Sequence, residues 1–173
     1  MVFYGVFRWL VSVCFNILNL ILAGNLPPLG SASVMVEEQN RYLVVESPDG
    51  SIVFPGGFTR WREHPMQTAL REAREETGLH LRLGDMVGYY STISRSFAQM
   101  STLTIIYHAE VVGGELRGSI EGRPHWRSEA ELRNEPKFRH EEMLEGYLRY
   151  RARHAESGGS GSTTVEAAKL NSD

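Results

Sequence analysis

The sequence predicts an α/β fold, a sheet with helices packed on it. Between residues 31 and 155, short β-rich runs alternate with segments of helical periodicity, which is typical of a sheet with helices packed on it. The composition, with 42% hydrophobic and 23% charged residues, indicates a globular domain with a core. The length of 173 residues fits one domain with extensions.

The first 26 residues are apolar, and we expect them to form a helix. From Val2 to Ala23 the only charged residue is Arg8, and the prolines after Asn25 would end the helix. The polar residues recur at helical spacing and form one narrow stripe: Arg8, Ser12, Asn16 and Asn19. A two-faced helix suits a membrane surface or docking on protein. A membrane span and, more weakly, a signal peptide without a basic start stay open.

The middle region, residues 27–155, begins with strands. Ser33–Glu37 and Tyr42–Glu46 are β-rich runs around a polar turn and predict a hairpin. Ile52–Phe54 predicts a short strand after a Pro-Asp-Gly turn. A helix is predicted over Pro65–Thr77, with Gly78 as its left-handed cap. Two longer strands follow around residues 81–93 and 103–112, and a last helix around residues 138–154 with Met143, Leu144, Tyr147 and Leu148 on its apolar face.

Residues 156–173 are rich in glycine and serine and contain no aromatic residue, so we expect a flexible tail.

Composition and charge exclude several classes of protein. The net charge of -3 gives no basic excess, so nucleic acid is not expected as the main partner. The single cysteine, Cys14, excludes an intramolecular disulfide and a paired-cysteine zinc site, and it fits a cytoplasmic location.

Three glutamates share one face of the predicted helix Pro65–Thr77. Glu72, Glu75 and Glu76 stand at i, i+3 and i+4, which brings their side chains together. A second band round the helix is expected to pack against the domain: Met66, Leu70, Ala73 and Thr77. The glutamates alone are most simply a solvated acidic face. Carboxylates held this close are also the ligands that Mg²⁺ prefers.

The residues around this helix favour the metal site. Gly57 is followed after five residues by Glu63, and after seven more by Arg71-Glu72-Ala73-Arg74-Glu75-Glu76-Thr77-Gly78-Leu79. This stretch resembles the complete Nudix box, and chance would match its seven fixed residue types on the order of 10⁻⁸ per start position. The Trp126 segment, His125–Leu132, also resembles the strand and turn near the end of Nudix domains.

The resemblance implies a fold, a metal and a reaction. The implied fold is a Nudix-type α/β/α sandwich with a mixed sheet. Such an enzyme would use Mg²⁺, with Mn²⁺ as the other metal, to direct water onto the diphosphate linkage of a nucleoside diphosphate joined to another group. In the family, the three box glutamates bind the metal, which here would be Glu72, Glu75 and Glu76. The resemblance further implies that the carbonyl of Gly56 is a ligand and that a later acidic residue joins them. Glu121 is our choice for that residue, with Glu115 and Glu110 as competitors.

Other roles also come from the resemblance. Arg71 would orient a glutamate, Glu63 would support the loop, and Gly57 and Gly78 would shape the backbone. The general base stays open among Glu72, Glu75 and Glu121. Candidate substrate contacts are Trp61, Tyr90 and Arg95.

The sequence leaves the substrate and the assembly open. The position beyond the box that marks some subfamilies is occupied by Arg95-Ser96-Phe97, so neither the ADP-ribose nor the dinucleoside polyphosphate signature is matched. We expect a nucleotide-type small molecule as substrate. The alternatives are a nucleotide-binding sensor without turnover, and an enzyme held at a membrane surface by residues 1–26. The oligomeric state is open, a homodimer included.

Overall fold

A computed structural model describes residues 2–97, 99–120 and 122–157 of the chain. The predicted tail, residues 158–173, and Glu121 lie outside the described residues. The helices are α1 (Val2–Ile21), α2 (Pro65–Thr77), α3 (Glu129–Arg133) and α4 (Glu141–Ser157). The strands are β1 (Leu29–Glu38), β2 (Arg41–Glu46), β3 (Ile52–Val53), β4 (Gly56–Phe58), β5 (Leu79–Thr92), β6 (Thr102–Gly114) and β7 (Arg123–Ser128).

The strands form one mixed sheet. Its order is β3-β2-β1-β6-β5, with β4 paired to β1 and β7 paired to β2. Only the pairing of β1 with β6 is parallel among these described strands. The predicted hairpin is confirmed, since Glu37 of β1 lies opposite Tyr42 of β2. Gln39 and Asn40 close it with φ angles of 51° and 60°, the left-handed conformation that tight hairpin turns require.

Two cores cover the two faces of the sheet, which makes the α/β/α sandwich. Alternate residues of β1 point to opposite faces, so Val34 and Val36 lie in one core and Met35 lies in the other. On the first face Ala69 and Ala73 bring α2 close to the strands. On the second face α4 contributes the buried side chains Met143, Leu144, Tyr147 and Tyr150.

Helix α2 has the predicted bounds and strong signals at both ends. His64 precedes it and accepts a hydrogen bond from the Met66 amide, while the Gln67 side chain accepts one from the His64 amide. Gly78 ends the helix with a φ of 75°, as predicted. A Cβ at Gly78 would lie 2.5 Å from the carbonyl oxygen of Glu115. Both the positive φ and the lack of space for a Cβ therefore require glycine at this position.

Two predicted boundaries were wrong. Helix α4 begins at Glu141 rather than near Phe138, because the backbone of Lys137 and Arg139 is hydrogen-bonded to Ile52 of β3. Helix α1 ends at Ile21, before the prolines, because Ala23 and Gly24 have positive φ angles and turn the chain. Within the described residues, no helix has both the length and the apolarity needed to cross a bilayer.

Candidate active site

The candidate site lies where α2 crosses the end of β4. Strand β4 pairs with β1, placing Gly56 opposite Ser33 and Gly57 opposite Ala32. Ala32 is fully buried beneath α2, in the core that also contains Ala69 and Ala73. Alanine at these contacts lets the helix backbone come close to the strand. The carboxylates of the last two turns of α2 are therefore held against the glycine backbone of the box.

Glu76 is buried rather than exposed. Its residue is 7% exposed, and its carboxylate accepts a hydrogen bond of 2.9 Å from the Gly56 amide. The sequence predicted that the three glutamates share one side of α2 and that a separate band, which includes Met66 and Leu70, packs against the domain. That division was wrong, since Met66 and Leu70 are exposed and the stripe facing the sheet consists of Thr68, Ala69, Ala73, Glu76 and Thr77. Helical spacing identifies a face without fixing which face the sheet covers.

Glu72 lies against the backbone of Gly57. A Cβ built on Gly57 would come within 2.4 Å of the Glu72 carboxyl carbon and 2.5 Å of its oxygen. Any side chain at Gly57 would therefore displace this carboxylate. The Glu72 side chain is mostly buried and receives a 2.6 Å hydrogen bond from Arg71.

Arg71 connects the site to its loop. Its guanidinium forms a two-pronged ion pair with Glu63, through bonds of 2.7 and 2.8 Å. It also donates to Glu72, to Glu75 at 3.2 Å and to the carbonyl oxygen of Phe58 at 3.2 Å. This hydrogen bonding by Arg71 lowers the pKa of Glu63 to about 2, and the bond to Glu63 raises the pKa of Arg71.

Of the three box glutamates, Glu75 is the one that is open to solvent, with 51% of its side chain exposed. Arg60 of the box loop approaches it at 3.4 Å, and Arg71 approaches from the other side. The sequence did not single out Arg60, whose only signal is its position next to Trp61. In this arrangement arginine side chains pair with Glu72 and Glu75.

The oxygen atoms at this site are of the kind that a hard divalent cation prefers as ligands, although the side chains do not surround a single point. Among the described residues no three His, Cys, Asp or Glu side chains converge on a single point that could hold an ion. Two carboxylates, those of Glu72 and Glu76, nevertheless meet the Gly56–Gly57 backbone, and the bare Cα of Gly57 leaves room for the Glu72 carboxylate beside it. Oxygen donors of this kind match Mg²⁺ or Mn²⁺, and binding would require Glu75 to leave Arg60 or Arg71.

Of the other predicted site residues, those that the structure describes have surroundings different from those of this cluster. Trp61 is 89% exposed, and its described ring contact is with the Arg62 guanidinium at 5.9 Å. Tyr90 lines a cleft of about 630 Å³ between β5 and α4, and Arg95 is exposed beyond the end of β5. Glu110 is paired with Arg82, Glu115 is exposed after β6, and Glu121 lies outside the described residues.

A row of residues that lie opposite one another on four neighbouring strands connects the cleft at Tyr90 to the box. Tyr90 lies opposite Thr104, Thr104 opposite Ser31, and Ser31 opposite Phe58. Three strand spacings separate the ends of this row, roughly 14 Å. The Ser31 and Thr104 hydroxyls are buried between them and bond each other at 2.6 Å. The sequence carries no local signal for this row, because its members come from four strands.

Comparison with known proteins identifies relatives of the whole domain. The family model of the NUDIX domain matches residues 27–147. The chain is 30% identical over 135 residues to a protein of Methanocaldococcus jannaschii named ADP-ribose pyrophosphatase, covering 73% of this chain and 76% of that protein. It is 31% identical over 99 residues to a MutT-like protein of Streptomyces ambofaciens, covering 55% of this chain and 61% of that protein.

Solved structures share the fold. A NUDIX hydrolase from Nitrosomonas europaea superposes with a TM-score of 0.65 at 24% identity, over 73% of this chain and 90% of that one. A MutT protein from Methanosarcina mazei Go1 superposes with a TM-score of 0.63 at 19% identity, over 75% of this chain and 97% of that one. At these identities the likeness is evidence for the fold.

Proposed function

Because the chain belongs to the Nudix hydrolase family, we propose that this pyrophosphohydrolase cleaves the diphosphate linkage of a nucleoside diphosphate joined to another group. One observation carries the proposal. Every fixed position of the box is present, and the folded chain brings Glu72 and Glu76 onto the Gly56–Gly57 backbone while Glu75 stays open to solvent. The sensor alternative has no specific observation in its favour.

Mg²⁺ is the cofactor that we propose, with Mn²⁺ as a substitute. Glu72, Glu75 and Glu76 would hold it together with the carbonyl oxygen of Gly56, and Glu121 is a further candidate ligand. When bound, such an ion neutralises phosphate charge and lowers the pKa of water. The Glu72 and Glu76 carboxylates are already largely buried and are held by Arg71 and by the Gly56 amide, which supports this donor set.

The chain's own groups have separate tasks in this proposal. Arg71 holds Glu72 in place, and Glu63 in turn holds Arg71, so neither needs to touch substrate. Glu75 is half-exposed and is the box carboxylate best able to take a proton from water. Glu72 and Glu121 are the other candidates for that proton. The buried Glu76 would serve as a ligand and as an acceptor for the Gly56 amide.

ADP-ribose is the substrate that we would test first. The relative from M. jannaschii carries that name and aligns over most of both chains. Tyr90 could stack on a base in the cleft, and Trp61 offers a second exposed ring near the box. The expected signature beyond the box is absent at Arg95–Phe97, so the substrate class must be measured.

The test is a hydrolysis screen. Purified chain is incubated with Mg²⁺ and ADP-ribose, nucleotide sugars, dinucleoside polyphosphates, nucleoside triphosphates or capped RNA, and products are separated by chromatography. We expect release of a nucleoside monophosphate or of phosphate, abolished by chelation and restored by Mg²⁺ or Mn²⁺. Ligand-induced melting shifts without any product across the panel would contradict catalysis and favour the sensor.

A further inference from the structure

Helix α1 turns Ser12 and Asn16 of its polar stripe towards the protein. The side-chain amide of Asn16 donates to the carbonyl oxygens of Gln99 at 2.7 Å and Phe97 at 3.1 Å, both in the connection between β5 and β6. Ser12, one turn earlier, is buried. The remaining surface of the helix therefore faces away from the domain.

That outward surface is apolar. Eight large apolar residues of α1 and its final turn are each at least 40% exposed: Trp9, Leu10, Val11, Ile17, Leu18, Leu20, Ile21 and Leu22. A protein normally buries such side chains, and contiguous apolar patches of this kind mark sites for a partner or a membrane. The polar contacts of Asn16 fix the helix with this surface outward.

The connection between β5 and β6 extends the same surface. Ile93 is 74% exposed and Phe97 is 59% exposed, and Asn16 bonds directly to the backbone of Phe97. Arg95 lies between them and is exposed. We call the exposed apolar residues of α1 and its final turn, together with Ile93, Arg95 and Phe97, the apolar platform.

The charge of the platform has one sign. The first acidic residue of the chain is Glu37, and none occurs between Asp85 and Glu110. The charged residues in those two stretches are both arginines, and Arg95 is the one whose exposure on the platform the structure describes. An apolar surface with tryptophan, phenylalanine and arginine but no carboxylate complements the boundary of an anionic bilayer.

We propose that the apolar platform docks this protein on an anionic lipid bilayer, with α1 lying in the interface plane. A second copy is a poorer occupant, because symmetric pairing would set this arginine-bearing surface against itself without a carboxylate to pair. The proposal does not depend on the substrate.

Docking would bring the candidate site to the membrane surface. The Thr59 amide of the box loop bonds to Gly30, and the Leu29 amide bonds to Ser101 of the β5–β6 connection. The box loop and the platform therefore lie at the same end of the sheet. An enzyme docked in this way would meet diphosphates presented at a bilayer.

The test measures flotation of the full chain with vesicles. Vesicles of phosphatidylcholine alone are compared with vesicles that contain phosphatidylglycerol, at low and high salt. We expect binding to the anionic vesicles that weakens at high salt. The double change Leu20→Glu and Ile21→Glu should weaken it by at least tenfold, since both side chains are more than two-thirds exposed. Arg95→Gln should weaken it by about fivefold.

Val112→Glu is the matched control. Val112 is 57% exposed near the opposite end of β6, so the same kind of change there should leave flotation intact. Light scattering during size exclusion gives the mass of each variant, and circular dichroism checks its fold. Failure of the wild-type chain to float, or equal flotation of the folded double variant, would overturn the proposal. A dimer that the double change dissociates, without vesicle binding, would assign the platform to a second copy.

Discussion

Arg71 is the residue on which the geometry of the candidate site depends most. It donates five hydrogen bonds, to Glu63, Glu72, Glu75 and the backbone of Phe58. Its side chain is 17% exposed and that of Glu63 is 14% exposed, so the pair is largely withdrawn from water. Removing one partner of such a pair leaves a desolvated charge without compensation.

We therefore predict that Arg71→Met lowers the free energy of unfolding by about 3 kcal/mol. The matched control is Arg133→Met, because Arg133 also pairs with two glutamates, Glu129 and Glu145, but on an exposed surface. That change should cost much less, because ion pairs between exposed side chains contribute little to stability. Urea unfolding of both variants measures the difference. Equal losses for the two would show that the Arg71 network contributes no more than a surface ion pair.

At the scale of the elements, α2 was predictable because its signals are local. The periodicity, the cap at Gly78 and the spacing of the glutamates all lie within one stretch of sequence. The burial of Glu76 was not predictable, because it depends on which side of the helix Ala32 of β1 contacts. The start of α4 was also set from outside, by the backbone of Ile52.

The cap of α2 gives a prediction for that element. Gly78→Ala should lower the free energy of unfolding by about 2 kcal/mol, because the φ of 75° and the Glu115 carbonyl both oppose a Cβ. Gly88→Ala on β5 is the control, since a Cβ there meets no atom within 4 Å. It should change stability by less than about 1 kcal/mol. Thermal melts measure the stability of the two variants. Equal stability of the Gly78→Ala and Gly88→Ala proteins would contradict the cap geometry.

At the scale of the whole molecule, long-range contacts bring together residues from distant segments of the sequence. The row from Phe58 to Tyr90 crosses four strands, and the cleft beside it needs α4 from the end of the chain. The α/β class could be predicted from alternating patterns and the α/β/α sandwich from the resemblance of the box, whereas this row could not be predicted. The orientation of α1 also depends on distant partners, since Asn16 bonds to Gln99.

His140 joins the segment before α4 to Phe54 by a hydrogen bond, and we expect its titration to make the stability of the domain depend on pH. Its buried ring accepts a hydrogen bond from the Phe54 amide, two residues before Gly56, and burial lowers its pKa from 6.5 to about 4. The folded state thus binds the proton more weakly than the unfolded state. This contribution to stability is complete above pH 6.5 and is lost as the pH falls towards 4.

His140→Gln keeps an acceptor for Phe54 but does not titrate. Chemical unfolding between pH 8 and pH 4 should show a steeper loss of stability for the wild-type chain than for this variant. Parallel curves for the two proteins would mean that His140 is protonated in the folded state as readily as in the unfolded state.

The central claim is that the box glutamates of α2 perform metal-dependent cleavage, and the kcat of Glu75→Gln on the substrate found in the screen tests it most directly. Glu75 is half-exposed, so the variant should stay folded, while kcat should fall by at least about a hundredfold. Glu38→Gln, at an exposed residue of the β1–β2 hairpin, should retain wild-type activity. A folded Glu75→Gln protein with wild-type kcat would contradict the claim.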